Sequence, residues 1–465
     1  MRFSVKSVDF FEREVVLRIP FRFGVVTLTR APQAFVRARI RLADGRESTG
    51  AAAEMLVPKW FDKDPALSNE DNLAQLRASL ALAREAYLAG GENSAFGHWI
   101  DNYGPQIALG TAQVLNNLDA CFGPALIDRA LLDALCRARN ISFYEAVKSN
   151  LIGMSAPGWQ ADLMAFDMES FLEALEPQAG IAARHTIGLV DPISKTERRV
   201  NDGLPETLEE VVARYGHRWF KLKVAGDPAA DVERLAEIAA VLDRVPGGYQ
   251  ATLDGNEQYA DADAVLVLMK RIKEDARLRQ LAASIVFIEQ PVKRQNALSG
   301  DMSALAEEKP VIIDESDDSL EAFPRARRLG YTGVSSKTCK GLYKSLLNAA
   351  RCRMWNREEG TQRYFMSGED LTIQPGLALQ QDLALVSLLG LTHVERNGHH
   401  YVNGMAGLPA AEQDAFLGGH PDLYERSHGA VRLRIEKGMI SIGSLDCPGY
   451  ASRAMPDWSS MRAMP

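Results

Sequence analysis

The chain changes rhythm as it runs. Near its start, polar and apolar positions alternate. FEREVVLRIPF and AFVRARIRLADG each put every second side chain on one face, the period of a half-buried strand. The second run ends at Asp44-Gly45, a turn signal, so the two read as neighbouring antiparallel strands. RFGVVTLTRAPQ, with Pro20, Gly24 and Pro32 nearby, reads as a loop between them, and EMLVPKWFDKDP as a second loop near Pro58 and Trp60. From about Asn69 to Ala138 the apolar spacing becomes three and four, as in LAQLRASLALAREAYL and PALIDRALLDALCRA, which predicts helices. Residues 1–150 therefore read as one α+β unit.

After that, short β-branched runs alternate with amphipathic stretches. Strands are predicted at ARHTIGLV, WFKLKV, YQATLD, IVFIEQ, PVIIDE, TGVSSK, YFMSGE and THVERN. Between them lie helical segments such as AADVERLAEIAAVLDRV and AVLVLMKRIKEDARLRQLA. The alternation predicts an α/β fold with a parallel sheet, and eight strands suit closure into a (β/α)8 TIM barrel over residues 151–427. AVRLRIEKGMISIGS reads as a hairpin turning at Lys437-Gly438, and residues from about 428 to 465 are expected to return to the first domain and complete it. A length of 465 residues fits one barrel plus one further domain.

Composition changes this picture little. Hydrophobic residues are 46% and charged residues 25%, ordinary for a globular chain with a large core. The net charge of -8, without a basic stripe, argues against a nucleic-acid partner. Five scattered cysteines with no CxxC argue against a disulfide framework or zinc ribbon. The first fifteen residues carry charges throughout, unlike a signal peptide, and no run approaches the ~18 apolar residues of a membrane span. The expectation is a cytoplasmic protein with no membrane partner.

The chemistry lies at the ends of the predicted strands. WFKLKV supplies Lys221 and Lys223, YQATLDGN supplies Asp254 and Asn256, IVFIEQP supplies Glu289, PVIIDES supplies Asp314 and TGVSSK supplies Lys337. The steps are 31 (223 to 254), 35 (254 to 289), 25 (289 to 314) and 23 (314 to 337), each about one strand, loop and helix. In a β/α barrel all C-terminal strand ends meet at one rim. Three carboxylates brought together there repel one another unless a cation lies between them, and oxygen-only ligation points to Mg²⁺ first, with Mn²⁺ next. Taken singly, each residue has a plainer reading. Asp254-Gly255-Asn256 is a common turn, Asp314-Glu315-Ser316 a common helix cap, and Lys221, Lys223, Lys337 and Lys340 could be solvated. It is the shared phase of five consecutive units that favours the site.

At these residues the sequence resembles the enolase superfamily, and more closely its muconate lactonising enzyme branch, within the mandelate racemase/muconate lactonising enzyme group. The matching segments are KLKVAGD, LDGN, IEQP, DES and SSKTCK, in that order. The resemblance implies a modified barrel under an N-terminal α+β capping domain. It implies Asp254, Glu289 and Asp314 as metal ligands, Lys223 and Lys337 as an acid/base pair, and Lys221 behind them near the substrate carboxylate. Asn256 matches a polar neighbour of the metal, and Glu369, Asp370 and Glu395 of the last two strands are further candidates for substrate contact. Residues 22–26 and Pro58–Phe61 match the capping loops that set specificity, and a homo-oligomer is expected.

The reaction implied is abstraction of the α-proton of a small-molecule carboxylate through an enediolate, by a Mg-dependent isomerase or lyase. The outcome would be racemisation or epimerisation, or else cycloisomerisation or elimination. Because Lys221 and Lys223 share a strand face, their like charges are expected to lower the pKa of the base. There are departures. Lys340-Gly341-Leu342 stands where the branch often has Gly-Gly, THVERN lacks the acidic pair of dipeptide epimerases, and the His–Asp pair of mandelate-racemase-like members is missing.

Three other readings compete. An acid-sugar dehydratase would use the same site, but RFGVVTLTR and MLVPKWF are rather apolar for it. A catalytically retired barrel would have no need of the full set of carboxylates and lysines. A transition-metal site on His393, Glu395, His399 and His400 does not match a spacing such as HExxH, so HVERNGHH reads as a loop with incidental histidines. GxxxxGK[ST] is absent, which argues against a P-loop nucleotide site.

Overall fold

The computed structural model describes residues 1–24, 26–155, 158, 160–196 and 199–464. Strands β1 (Arg2–Phe23) and β2 (Val26–Leu42) form one long antiparallel ribbon, in register from Phe3↔Leu42 to Phe23↔Val26. β3 (Glu47–Met55) pairs with β2. The loop expected over residues 22–33 is therefore mostly strand, with only a tight turn at Gly24. Pro20 is tolerated because the register shifts between Val16 and Phe21, where no ladder donor is required of it.

Helices α1 (Asn69–Ala89), α2 (Ala95–Ala112) and α3 (Asn117–Arg139) complete this first layer. Ser68 and Asp71 close a capping box at the start of α1. α3 is buried from Leu118 to Cys136, and several of its charged side chains hold neighbouring elements. Asp133 accepts hydrogen bonds from the backbone N–H of Ala51 at 2.9 Å and of Tyr450 at 2.6 Å. Arg129 pairs with Glu54 at 3.0 Å, and Glu54 in turn accepts from the Thr338 hydroxyl at 2.9 Å. Thr338 follows Lys337, so this chain of contacts ties the first layer to the rim of the barrel.

The barrel strands are β4 (Gly180–Ile187), β5 (Trp219–Lys223), β6 (Gln250–Asp254), β7 (Ile285–Glu289), β8 (Val311–Ile313), β9 (Gly333–Ser336), β10 (Phe365–Gly368) and β11 (His393–Arg396). Neighbours are parallel throughout, and β11 pairs with β4 from His393↔Ala182 to Arg396↔His185, which closes the barrel. The eight strands fall where the sequence pattern puts them. The helices between them bury one stripe. Ala262–Glu274 turns Val265, Leu268, Met269 and Ile272 inward, a spacing of three and four.

The C-terminal segment divides between the barrel and the first domain. Tyr424–Ser427 (β12) and Ala430–Leu433 (β13) pair with each other. The chain does turn at Lys437-Gly438, both at positive φ, but Met439–Ser441 (β14) docks antiparallel on β4 and not on the first domain. The reason is an open edge: β5 pairs with β4 only from Arg184 onward, leaving residues 180–182 for β14. Arg462–Ala463 (β15) pairs with β1, Trp458 packs on Phe11 at 5.1 Å, and the Met464 N–H donates to the Phe10 carbonyl at 2.9 Å. Among the described residues no helix is long and apolar enough to cross a membrane, and the five cysteines are unpaired and buried.

Gly50 of β3 lies against α3, where an added Cβ would stand 2.2 Å from the Ala130 carbonyl oxygen and the Ala134 nitrogen. Gly50→Ala is expected to cost about 1–3 kcal/mol of unfolding free energy by overpacking. Gly91→Ala, with nothing within 4 Å of its Cβ, is expected to cost far less. Urea denaturation of the two variants side by side checks this, and equal losses would refute the packing account.

Candidate active site

The C-terminal ends of the eight strands carry the predicted charges to one place. Asp254 and Glu289 end β6 and β7, Asp314 and Lys337 follow β8 and β9, Glu369 follows β10, and Lys221, Lys223 and Glu395 lie within β5 and β11. All eight are buried. At their centre is the Lys221 ammonium. It donates to Glu369 at 2.8 Å and to Glu395 at 2.9 Å. It also lies 2.9 Å from Asp254 and 2.7 Å from Glu289, without hydrogen-bond geometry to either. Lys223 donates to Asp254 at 2.5 Å, and Lys337 donates to Asp314.

The electrostatics follow from these pairings. Burial disfavours the Lys221 ammonium, yet Asp254, Glu289, Glu369 and Glu395 together hold its pKa well above the ordinary lysine value. The Lys221 charge is thus compensated by four carboxylates. Burial also opposes the Lys337 charge, and Asp314 overcomes it, so that pKa too is raised. Glu289 is the exception among the acids. Burial pushes it up, and the nearby Asp254 and Glu369 push it further. Neither of its oxygens accepts a hydrogen bond.

Sequence reasoning missed several residues that build the rim. Arg184 of β4 pairs with Glu369, and Thr186 donates to Glu395 at 2.6 Å. The signal was present, since Arg184 and Thr186 are alternate residues of a buried strand and so share one face. The Gln290 side-chain oxygen accepts from the backbone N–H of Asp314 at 2.8 Å and Ser316 at 3.0 Å, which fixes one loop against the next. Lys340, which could have been a solvated helix residue, is buried. It donates to Ser335 at 2.7 Å and lies 2.9 Å from Asp317.

Above the rim is an enclosed space lined by Phe21, Phe23, Val57 and Trp60 of the first domain and by Lys221, Lys223, Asn256, Lys337, Asp370, Leu371, Thr372, Glu395 and Asn397 of the barrel. Its volume is about 20 Å³, room for about one water molecule. The first domain is thus closed over the lysines. Trp60 covers Lys337, with its ring centroid 4.3 Å from the amine. Arg294 grips the carbonyls of Trp60 and Phe61 at 2.9 and 2.7 Å and holds that loop down. Val25, in the other expected capping loop, lies outside the described residues. A far larger surface groove, about 850 Å³ around Tyr144, Lys148 and Gln178, shares no lining residue with this space.

Comparison with known proteins places this architecture. Residues 203–361 match the sequence model of the family described as enolase C-terminal domain-like. Among solved structures, a muconate lactonizing enzyme from Mycobacterium smegmatis in complex with muconolactone is similar over 99% of this chain and 100% of that one, at 16% identity and a TM-score of 0.62. The L-Ala-D/L-Glu epimerase of Bacillus subtilis is similar over 97% and 99%, at 15% identity and a TM-score of 0.58. An enolase-superfamily protein from Roseovarius nubinhibens in complex with magnesium is similar over 100% and 99%, at 16% identity and a TM-score of 0.56. The fold is that of the enolase superfamily. No curated protein matches the chain by sequence.

Within this superfamily fold, the structure brings Lys221, Lys223, Asp254, Glu289, Asp314, Lys337, Glu369 and Glu395 to one rim. Asn256, Asp370 and Glu395 reach the enclosed space, whereas Glu369 lies beneath it between Arg184 and Lys221. Burial and Glu395 push the Asp370 carboxyl up to about 6, against the pull of Arg396. Removing the central ammonium tests the arrangement. Lys221→Met leaves the buried carboxylates without their shared cation and is expected to lower stability by about 3–5 kcal/mol in urea unfolding at neutral pH. A loss well under 1 kcal/mol would contradict it.

Proposed function

We propose that this protein is a metal-dependent racemase or epimerase that removes and restores the α-proton of a carboxylate substrate. The observation that carries this reading is the placement of Lys223 and Lys337. They come from β5 and β9, the second and sixth of eight barrel strands, and so from opposite sides of the barrel. Both line the space beneath the first domain, above three buried carboxylates. A pair of amines on opposite faces of a carbon is what inversion requires: one takes the proton and the other returns one.

A proton beside a carboxylate is a very weak acid, because its loss puts a second negative charge on the same group. The rim offers oxygen atoms of the kind a hard cation takes. Asp254, Glu289 and Asp314 offer only oxygen, and Glu289 is wholly buried with both oxygens free of hydrogen bonds. When bound there, a divalent ion supplies positive charge that offsets the enediolate and competes with Lys223 and Lys337 for Asp254 and Asp314. The chain's own residues do the rest. Lys221 stays anchored by its hydrogen bonds to Glu369 and Glu395 and keeps a fixed positive charge below the substrate. Lys223 and Lys337 move the proton. Phe21, Phe23, Val57 and Trp60 exclude water and favour a substrate with apolar bulk. The small volume means that this wall must open to admit it.

With Mg²⁺ in D₂O, the enzyme is expected to place deuterium at the α carbon of a substrate drawn from N-acyl amino acids and dipeptides. Lys223→Ala and Lys337→Ala should each lower turnover about 10²–10⁴-fold with unchanged far-UV circular dichroism. Full activity in either variant would refute its role, and release of water from an acid sugar would identify a dehydratase instead. Calorimetry provides a separate check: Asp254→Ala is expected to abolish Mg²⁺ binding, and Mg²⁺ affinity equal to wild type would remove Asp254 from the donor set.

A further inference from the structure

Three histidines from distant parts of the chain meet on the outer side of the barrel wall. His185 lies in β4 between Arg184 and Thr186, whose side chains reach Glu369 and Glu395 within the barrel. Strand alternation turns His185 the other way. His217 precedes β5, and His399 lies in the short helix Gly398–Tyr401 that follows β11. One ligand nitrogen from each falls within 4.8 Å of the others, the one such grouping among the described residues. The ring centroids are 5.2 to 5.4 Å apart.

The quartet considered from sequence, His393, Glu395, His399 and His400, is not what assembles. His393 stacks on Trp219 at 3.9 Å and contacts Arg184, and Glu395 faces Lys221. Of these four only His399 contributes to the three-nitrogen grouping, although the His400 ring packs edge-on to His185 at 5.1 Å, and the partners of His399 come from parts of the chain with no motif spacing.

We propose that His185, His217 and His399 form a second metal site, for a borderline transition ion of the Zn²⁺ type and not the hard cation of the rim. Three observations support it. First, the nitrogens have nothing else to do. His185 Nδ1, His217 Nε2 and both nitrogens of His399 are buried without a hydrogen-bond partner, which costs free energy at each atom unless something occupies it. Second, His217 Nδ1 lies 3.1 Å from the Ala183 carbonyl, so it carries the proton and leaves the Nε2 lone pair bare. A backbone carbonyl that orients a ligating imidazole in this way is a recurrent feature of metal centres. Third, burial holds all three rings toward the neutral form in which imidazole binds metal. An all-imidazole donor set selects zinc-like ions over Mg²⁺, with water or a small anion as the fourth ligand.

The location gives such an ion leverage. Asn397, just before the helix that holds His399, lines the enclosed space. Tyr401, at the end of that helix, stacks on Phe21 of the first domain at 4.2 Å. An ion bridging β4, the entry to β5 and this helix would fix one wall of the site against the cap.

Untagged protein is freed of metal and titrated with Co²⁺. The expected result is a visible d–d band of a four-coordinate centre that saturates at one equivalent, and that Zn²⁺ displaces but millimolar Mg²⁺ does not. The band should be lost in His217→Ala and His399→Ala and kept in Asp254→Asn. X-ray absorption at the zinc edge of the wild-type complex should count three imidazoles, a readout that does not depend on any variant folding. The proposal is overturned by a wild-type protein without the band, by an oxygen-only coordination shell, or by a band that survives both histidine changes in folded protein.

Discussion

One buried ammonium sets the terms for the rim of this barrel. Lys221 has almost no exposed surface, and neither have the carboxylates of Asp254, Glu289, Glu369 and Glu395 around it. Charges out of water are tolerable only in mutual contact, and Lys221 is the cation these four share. Lys223 and Lys337 repeat the pattern at Asp254 and Asp314. Six cations (Lys221, Lys223, Lys337, Lys340, Lys344 and Arg184) face six carboxylates (Asp254, Glu289, Asp314, Asp317, Glu369 and Glu395), so each buried charge at the rim has a partner of opposite sign. On the proposed reading, a divalent ion added to this set would leave a surplus of positive charge suited to a carboxylate ligand.

The first domain takes part in this balance. Glu54 and Arg129, one on β3 and one on α3, meet each other and the Thr338 hydroxyl, so packing within the first domain reaches the residue beside Lys337. Lys63 lies 3.0 Å from Glu315 and Arg294 holds the 60–61 backbone, which presses Trp60 onto Lys337. Closure of the first domain and the setting of Lys337 are therefore mechanically linked. Opening this wall would loosen the contact over Lys337.

Much of this could be read from the sequence because barrel geometry is repetitive. Short β-branched runs ending in a charge, about one strand–helix unit apart, specify both the strands and the rim at which they meet. The five phased charges from Lys223 to Lys337 carried that information. What escaped was set by tertiary contact. Nothing local distinguishes Gln290 as a clamp between two loops, and Lys340 looks like a surface lysine until Ser335 and Asp317 enclose it. The docking of Met439–Ser441 depended on an edge of β4 left open by the register of β5. The histidine cluster draws on three sites far apart in the chain, where spacing rules have nothing to act on. The ribbon of β1 and β2 misled for the opposite reason, since its prolines and glycine resemble loop signals although a register shift accommodates Pro20.

The central claim is that the three carboxylates of β6, β7 and β8 together hold one hard cation directly beneath the two lysines. Anomalous scattering from a crystal grown with Mn²⁺ tests it most directly. The account predicts a single strong peak bounded by Asp254, Glu289 and Asp314, with the Lys221 amine retained by Glu369 and Glu395. A rim without that peak, still spanned by Lys221 between Asp254 and Glu289 at saturating Mn²⁺, would contradict it.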